Sequence, residues 1–229
     1  MSDSGDETRR GLRVGVPSIV RGILKRLGAD DVDERARSPR SQALFMLING
    51  GVSIGLLAAM AHLARSPLIF PSLGPTAFLL FFRPLAAASS PRHTVLGHLV
   101  GVLVGLFCLW AFGLLGVPAN LSEGVGLARV GAAALSLGGT GAVMVYFGVA
   151  HPPAGATTLI VSLGLMPHLW QAPVLMGAVC LMALQGVVIN RLAGIPYPLW
   201  RPSEQRAEQA AKLKAELDDS PVKPGDRMI

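Results

Sequence analysis

Val149-Ala150-His151-Pro152-Pro153-Ala154-Gly155-Ala156-Thr157-Thr158 lies between two long apolar runs and interrupts them. Adjacent prolines cannot continue a helix, because they lack amide donors and their rings clash with the preceding turn. Proline does suit the first positions of a new helix. One helix is therefore expected to end near Ala150 and another to begin near Pro153, with free N–H groups and a partial positive charge at its start.

A second copy of the pattern lies 81 residues earlier, where Pro71-Ser72-Leu73-Gly74-Pro75-Thr76 aligns with Pro152-Pro153-Ala154-Gly155-Ala156-Thr157. Pro71/Pro152, Gly74/Gly155 and Thr76/Thr157 are identical pairs, and Gly50/Gly131 and Gly105/Gly186 match at the same offset. The offset also carries whole apolar segments onto apolar segments. This predicts two structural repeats, residues 43–115 and 124–196.

Charge is partitioned sharply. Residues 1–42 hold nine Lys/Arg and seven Asp/Glu, and residues 190–229 hold seven and six. The 147 residues between carry only Arg65, Arg83, Arg92, Arg129 and Glu123. A soluble domain needs charged faces, so residues 43–200 read as an integral membrane domain between polar, cytoplasmic tails at 1–42 and 201–229. Residues 17–27 have the pattern of an interfacial helix, with a frayed basic tail as the alternative, and residues 203–217 read as a polar surface helix. The net charge of +6 comes largely from the ends and does not point to nucleic acid. Cys108 and Cys180 sit in apolar runs without metal or disulfide spacing.

The expected fold is all-α, with four full spans at 43–63, 94–115, 127–147 and 173–189. Gly97, Gly101 and Gly105, at every fourth position, form a ridge for close helix approach. The segment 66–82 is too short to cross as one helix, since 17 residues reach only about 25 Å. Pro67, Pro71 and Pro75 break it, so an extended stretch leading to a half-helix from Pro75 is expected. The short segments either cross or are re-entrant. Six crossings make the halves inverted repeats with both termini cytoplasmic, and the arginine distribution favours six.

These residues resemble the HPP family of integral membrane proteins, named for its His-Pro-Pro motif. The resemblance rests on residues 151–157, on Pro71-Ser72-Leu73-Gly74, on Pro91-Arg92-His93-Thr94-Val95-Leu96-Gly97-His98, and on Asn190-Arg191 and Tyr197-Pro198. It implies a small membrane domain usually described with four transmembrane helices. Characterised relatives include nitrite transporters of cyanobacteria and of plastid membranes. Pro75 departs from the small residue expected there, and the soluble regulatory domain of some relatives is not expected here.

In lipid, a broken helix persists only where protein or a polar cavity satisfies its backbone. Two half-helices starting near mid-membrane would aim free N–H groups at a shared point, and helix N-termini bind anions. The expected substrate-binding set is Ser72, Gly74, Thr76, His151, Pro152, Pro153, Gly155, Thr157 and Thr158. Glycines allow close approach and hydroxyls donate to an oxyanion. The bland reading is that the prolines and glycines only shape tight turns. His151 is either a ring bonded to a backbone carbonyl at a helix end or a proton-responsive gate. His98, Tyr146 and Asn49 are candidates for a gate or path; the alternatives are a packing or interfacial role for His98, helix packing for Tyr146 and inter-helix hydrogen bonding for Asn49. His62, His93 and His168 fall at predicted membrane edges.

No metal site, cofactor motif or catalytic assembly is expected, because Glu123 is the one carboxylate of the membrane region. The leading reading is passage of a small inorganic anion, such as nitrite, across a bacterial-type inner membrane by a homo-oligomer embedded in the lipid bilayer. The alternative is a non-transporting scaffold or sensor subunit that recruits partners through its termini.

Overall fold

The computed structural model describes residues 39–66, 68–117, 125–166 and 168–202. The surface helices expected at 17–27 and 203–217, and the loop bearing Glu123, lie outside the described residues. Within them the chain is all-helical: α1 (Pro39–Ala64), α2 (Leu73–Phe82), a 3-10 turn (Ala87–Ser89), α3 (Pro91–Ala111), α4 (Leu127–Tyr146), α5 (Ala154–Ser162) and α6 (Gln171–Leu192). The helices α1, α3, α4 and α6 are long and apolar enough to cross a membrane. Large apolar side chains such as Leu47, Leu63, Leu103, Leu127 and Val145 face outward, as lipid-facing residues do.

Helix boundaries follow local chemistry. The first half-helix starts at Leu73, not at Pro75, because proline in a first turn forfeits no helical hydrogen bond. The helix α3 begins at Pro91, three residues before the expected Thr94. There the Ser90 hydroxyl accepts from the His93 amide and Pro91 occupies the first helical position. It ends at Ala111 rather than Leu115, where Gly113 and Gly116 take positive φ. Gly148, at φ +58, closes α4, with the Val149 amide reaching back to the Met144 carbonyl at 2.9 Å.

The helix α3 packs against α4, α5 and α6, while α2 packs on α1 and α6, and α5 on α3 and α4. Side-chain bonds fix directions. The Gln42 amide donates to the Phe82 carbonyl at 3.3 Å, so α2 ends beside the start of α1 and runs antiparallel to it. Arg129, near the start of α4, donates to the Ser162 carbonyl at the end of α5 at 3.4 Å, so this pair is antiparallel too. Arg92 gathers one end of the bundle: its backbone N–H donates to Trp200 and its guanidinium to Gly148, both at 3.0 Å.

The glycine ridge of α3 brings α5 in. A Cβ on Gly97 would lie 2.6 Å from the His151 Cβ, one on Gly101 2.8 Å from the Ala154 carbonyl oxygen, and one on Gly105 2.8 Å from the Val161 Cβ. The largest fully buried side chains include Leu57, Leu73, Leu80, Phe81, Leu175, Met182 and Tyr197.

Candidate functional site

Between the Gly148 turn that ends α4 and the start of α5 at Ala154, Pro152 and Pro153 keep the chain out of a continuous helix, and His151 beside them is fully buried. Ridge contact with Gly97 fixes its Cβ, and its Nδ1 lies 2.7 Å from the Ala88 carbonyl oxygen in the 3-10 turn. Its Nε2 lies 3.3 Å from the Thr76 hydroxyl on α2. The same hydroxyl is 2.9 Å from His98 Nε2 on α3 and 2.9 Å from the Ser72 carbonyl one turn earlier. His98 Nδ1 lies 2.6 Å from the Thr157 hydroxyl on α5. The imidazoles are tilted at 55° with centroids 5.0 Å apart. Thr76, His98, His151 and Thr157 are all fully buried, so the network is closed to the surroundings. Two surface hollows, of 380 Å³ beside Gly116 and Gly164 and 470 Å³ beside Gln42 and Phe82, do not include any of the four.

The structure thus brings together Thr76, His98, His151 and Thr157 from the expected set. Ser72 contributes its carbonyl, while its hydroxyl and that of Thr158 are buried with no partner among the described residues. Pro153 is the N-terminal flanking residue of α5, and Pro152 is exposed. Gly155 is half-buried near Leu137. Three candidates lie away from the network. Gly74 is exposed, with open space where a Cβ would stand. Tyr146 is 84% exposed and packs edge-on against Phe147. The Asn49 amide donates to Phe45 in its own helix.

The main-chain amides expected to face a solute are engaged locally. Leu73 donates to Phe70, Gly74 to Pro71, Ala154 to His151, Gly155 to Pro152 and Ala156 to Pro153, at 2.9–3.4 Å. A tight turn precedes each half-helix and satisfies these donors. The polar groups that converge are side chains instead.

His93, expected at a membrane edge, is buried with Nδ1 2.7 Å from the Ser90 hydroxyl. His62 and His168 are exposed. Sequence reasoning missed Ala88 and the role of buried Arg129, which lies over Gly164 and donates to Ser162 and Val117. Tyr197, expected at an aromatic and basic interfacial edge, is instead fully buried, and its hydroxyl donates to the Ser89 carbonyl. Burial raises that phenol well above its ordinary range. No cluster of three His, Cys, Asp or Glu with metal-binding placement occurs among the described residues.

A curated transmembrane protein of Dictyostelium discoideum is 29% identical over 144 residues, which is 60% of this chain and 46% of that protein. The chain therefore spans about half the length of this relative. No solved structure matches it significantly. The family model described as "HPP, transmembrane region" matches residues 35–198. An all-helical bundle with four membrane-length helices, built around the His-Pro-Pro turn, is what that match covers, and the chain belongs to the HPP transmembrane family.

Proposed function

We propose that this protein passes small inorganic anions, nitrite among them, across a bacterial-type inner membrane, at the point where α2 and α5 converge on His98. One observation carries the reading: Thr76 and Thr157, equivalent across the 81-residue offset, approach opposite nitrogens of one buried imidazole. A polar junction of this kind in an apolar domain is costly unless it is used. Buried hydroxyls at Ser72, Thr94, Thr140 and Thr158 that find no partner among the described residues support it, since such groups usually find hydrogen-bond partners.

Inverted repeats are supported by contacts that recur with partners exchanged. Gly105 on α3 abuts Val161 on α5, and Gly186 on α6 abuts Leu80 on α2, close to the same offset. Each half-helix lies antiparallel to the first long helix of its own half and packs on the last long helix of the other. Such a chain makes six passages. Arg40, Arg83, Arg92, Arg191 and Arg201 then share one side, opposite Arg65 and Arg129, which favours a cytoplasmic position for both termini.

In this reading the protein catalyses no covalent change. Hydroxyl and imidazole donors replace part of the anion's hydration, and without a fixed cation binding stays weak enough for release. The test is nitrite entry into vesicles carrying the purified protein. Entry should exceed that into protein-free vesicles and fall at least tenfold in Thr157→Val. Equal entry with and without protein would end the proposal.

A further inference from the structure

The four-residue network has a direction. The partners fix where each proton sits. The Ala88 carbonyl only accepts, so His151 Nδ1 carries a proton. The Ser72 carbonyl also only accepts, so the Thr76 hydroxyl donates to it at 2.9 Å, and a neutral His151 turns its Nε2 lone pair toward an oxygen with no proton left to give. Thr76 has one proton to give, so it accepts from His98 Nε2–H. His98 Nδ1 in turn accepts from the Thr157 hydroxyl. The chain runs Thr157 to His98 to Thr76 to Ser72, while His151 donates to Ala88 and holds its unprotonated Nε2 3.3 Å from the Thr76 oxygen.

One more proton has a prepared place. If His151 becomes imidazolium, its Nε2–H needs an acceptor. The Thr76 oxygen, whose own proton is already on the Ser72 carbonyl 2.9 Å away, offers its remaining lone pair. A second proton would set like charges on rings 5.0 Å apart, so the pair accommodates one.

That single charge has no fixed partner. The described residues include no Asp or Glu. The groups around the pair are neutral or cationic. On α3, His93 is bonded to Ser90 and Arg92 donates to Gly148. Arg83 follows the end of α2. On α4, Arg129 is held by Ser162 and Val117. On α6, Arg191 donates to the Tyr197 carbonyl, and Tyr197 itself donates to Ser89. The helix α5 carries no ionisable side chain. A buried imidazolium without a counter-charge is strongly disfavoured. An entering anion supplies that charge, and the imidazolium in turn favours the anion.

We infer that the His98–His151 pair, bridged by Thr76, takes up one proton with each anion, so that anion and proton cross together as a neutral unit. This rests on the anion-passage reading. The experiment uses full-length protein in vesicles loaded with a pH-sensitive dye, with nitrite and then nitrate as probes. Protein-free vesicles correct for nitrous acid that crosses unaided. The expected result is lumen acidification matching anion entry one to one, at a rate insensitive to an imposed membrane potential, with both signals lost together in His98→Gln.

The outcomes separate the two claims. Anion entry that is driven by membrane potential and leaves the lumen pH unchanged overturns the coupling and leaves passage standing. Neither probe entering above the protein-free rate overturns passage, and the coupling with it. The wild-type comparison of potential against acidification decides the matter even where His98→Gln fails to fold.

Discussion

His98 and His151 face each other across a single hydroxyl: Thr76 Oγ1 stands 2.9 Å from one Nε2 and 3.3 Å from the other. Two imidazoles on separate parts of the chain are thereby held in one hydrogen-bonded unit. Neither has a carboxylate beside it among the described residues, so the hydroxyl orients both rings. The arrangement makes Thr76 the group whose removal should be felt furthest.

Thr76→Val keeps the shape and deletes the bridge. It leaves the Ser72 carbonyl without this donor and His98 Nε2–H without an acceptor. Hydrogen bonds between membrane helices are usually worth about 0.6 kcal/mol and at most about 1.7. An unpaired buried group raises the cost, so a loss of about 1–3 kcal/mol is expected. Thr76→Ser retains the hydroxyl and should stay within about 1 kcal/mol of wild type. Thermal unfolding in detergent checks both, and equal midpoints for Val and Ser would show that the bridge contributes nothing.

Gly101→Ala tests the ridge that holds the His-Pro-Pro turn against α3. The new methyl would sit 2.8 Å from the Ala154 carbonyl oxygen, a backbone atom that cannot turn aside. Overpacking of this kind costs about 1–3 kcal/mol. Gly55→Ala on α1 meets nothing within 4 Å and should be neutral or slightly stabilising. The two midpoints in one detergent decide whether α5 must approach α3 this closely.

Much of this was legible before any coordinates. Prolines at 71, 152 and 153 exclude a continuous helix through those positions, and the four-residue glycine spacing marks one helix face. What lies across that face is a matter of tertiary pairing. Spacing could place His98 and Gly101 but could not say that Thr76 and Thr157 would reach the same ring. The half-helix amides differ from expectation because a proline-initiated start is not a bare terminus. In the fold, the turn before it already uses the Leu73, Gly74, Ala154, Gly155 and Ala156 donors. His93 was misplaced because α3 starts earlier than its apolar run, at the Ser90 cap.

Arg129→Met tests the buried cation at the opposite end of α5. The guanidinium donates to the Ser162 and Val117 carbonyls, and cations near a helix C-terminus are favoured by its dipole. Methionine fills similar space but leaves those carbonyls without this donor. A loss of about 1–3 kcal/mol is expected. Arg129→Lys should recover only part of it, because a single ammonium does not reproduce the planar fork. Full recovery by lysine in thermal unfolding would reduce the contact to a point charge.

Tyr197→Phe tests the lock on the turn that carries Ala88. The Tyr197 hydroxyl donates to the Ser89 carbonyl, while the Ser89 hydroxyl donates to Arg83 at 2.6 Å and to Leu79 at 3.2 Å. Deleting the phenol oxygen should cost about 0.5–1.5 kcal/mol near neutral pH. The pH dependence has a definite sign. Burial holds the folded phenol protonated above the ordinary tyrosine range, so the folded state binds more protons than the unfolded one at high pH. The stability contributed by Tyr197 is therefore fully present below about pH 10 and falls as pH rises beyond it. Phenylalanine carries no such dependence, so the gap between wild type and variant should narrow between pH 9 and 11, in steps readable as unfolding midpoints. A gap that stays constant over this range would mean that the phenol ionises as readily in the fold as outside it, and that the turn beneath His151 is open to water.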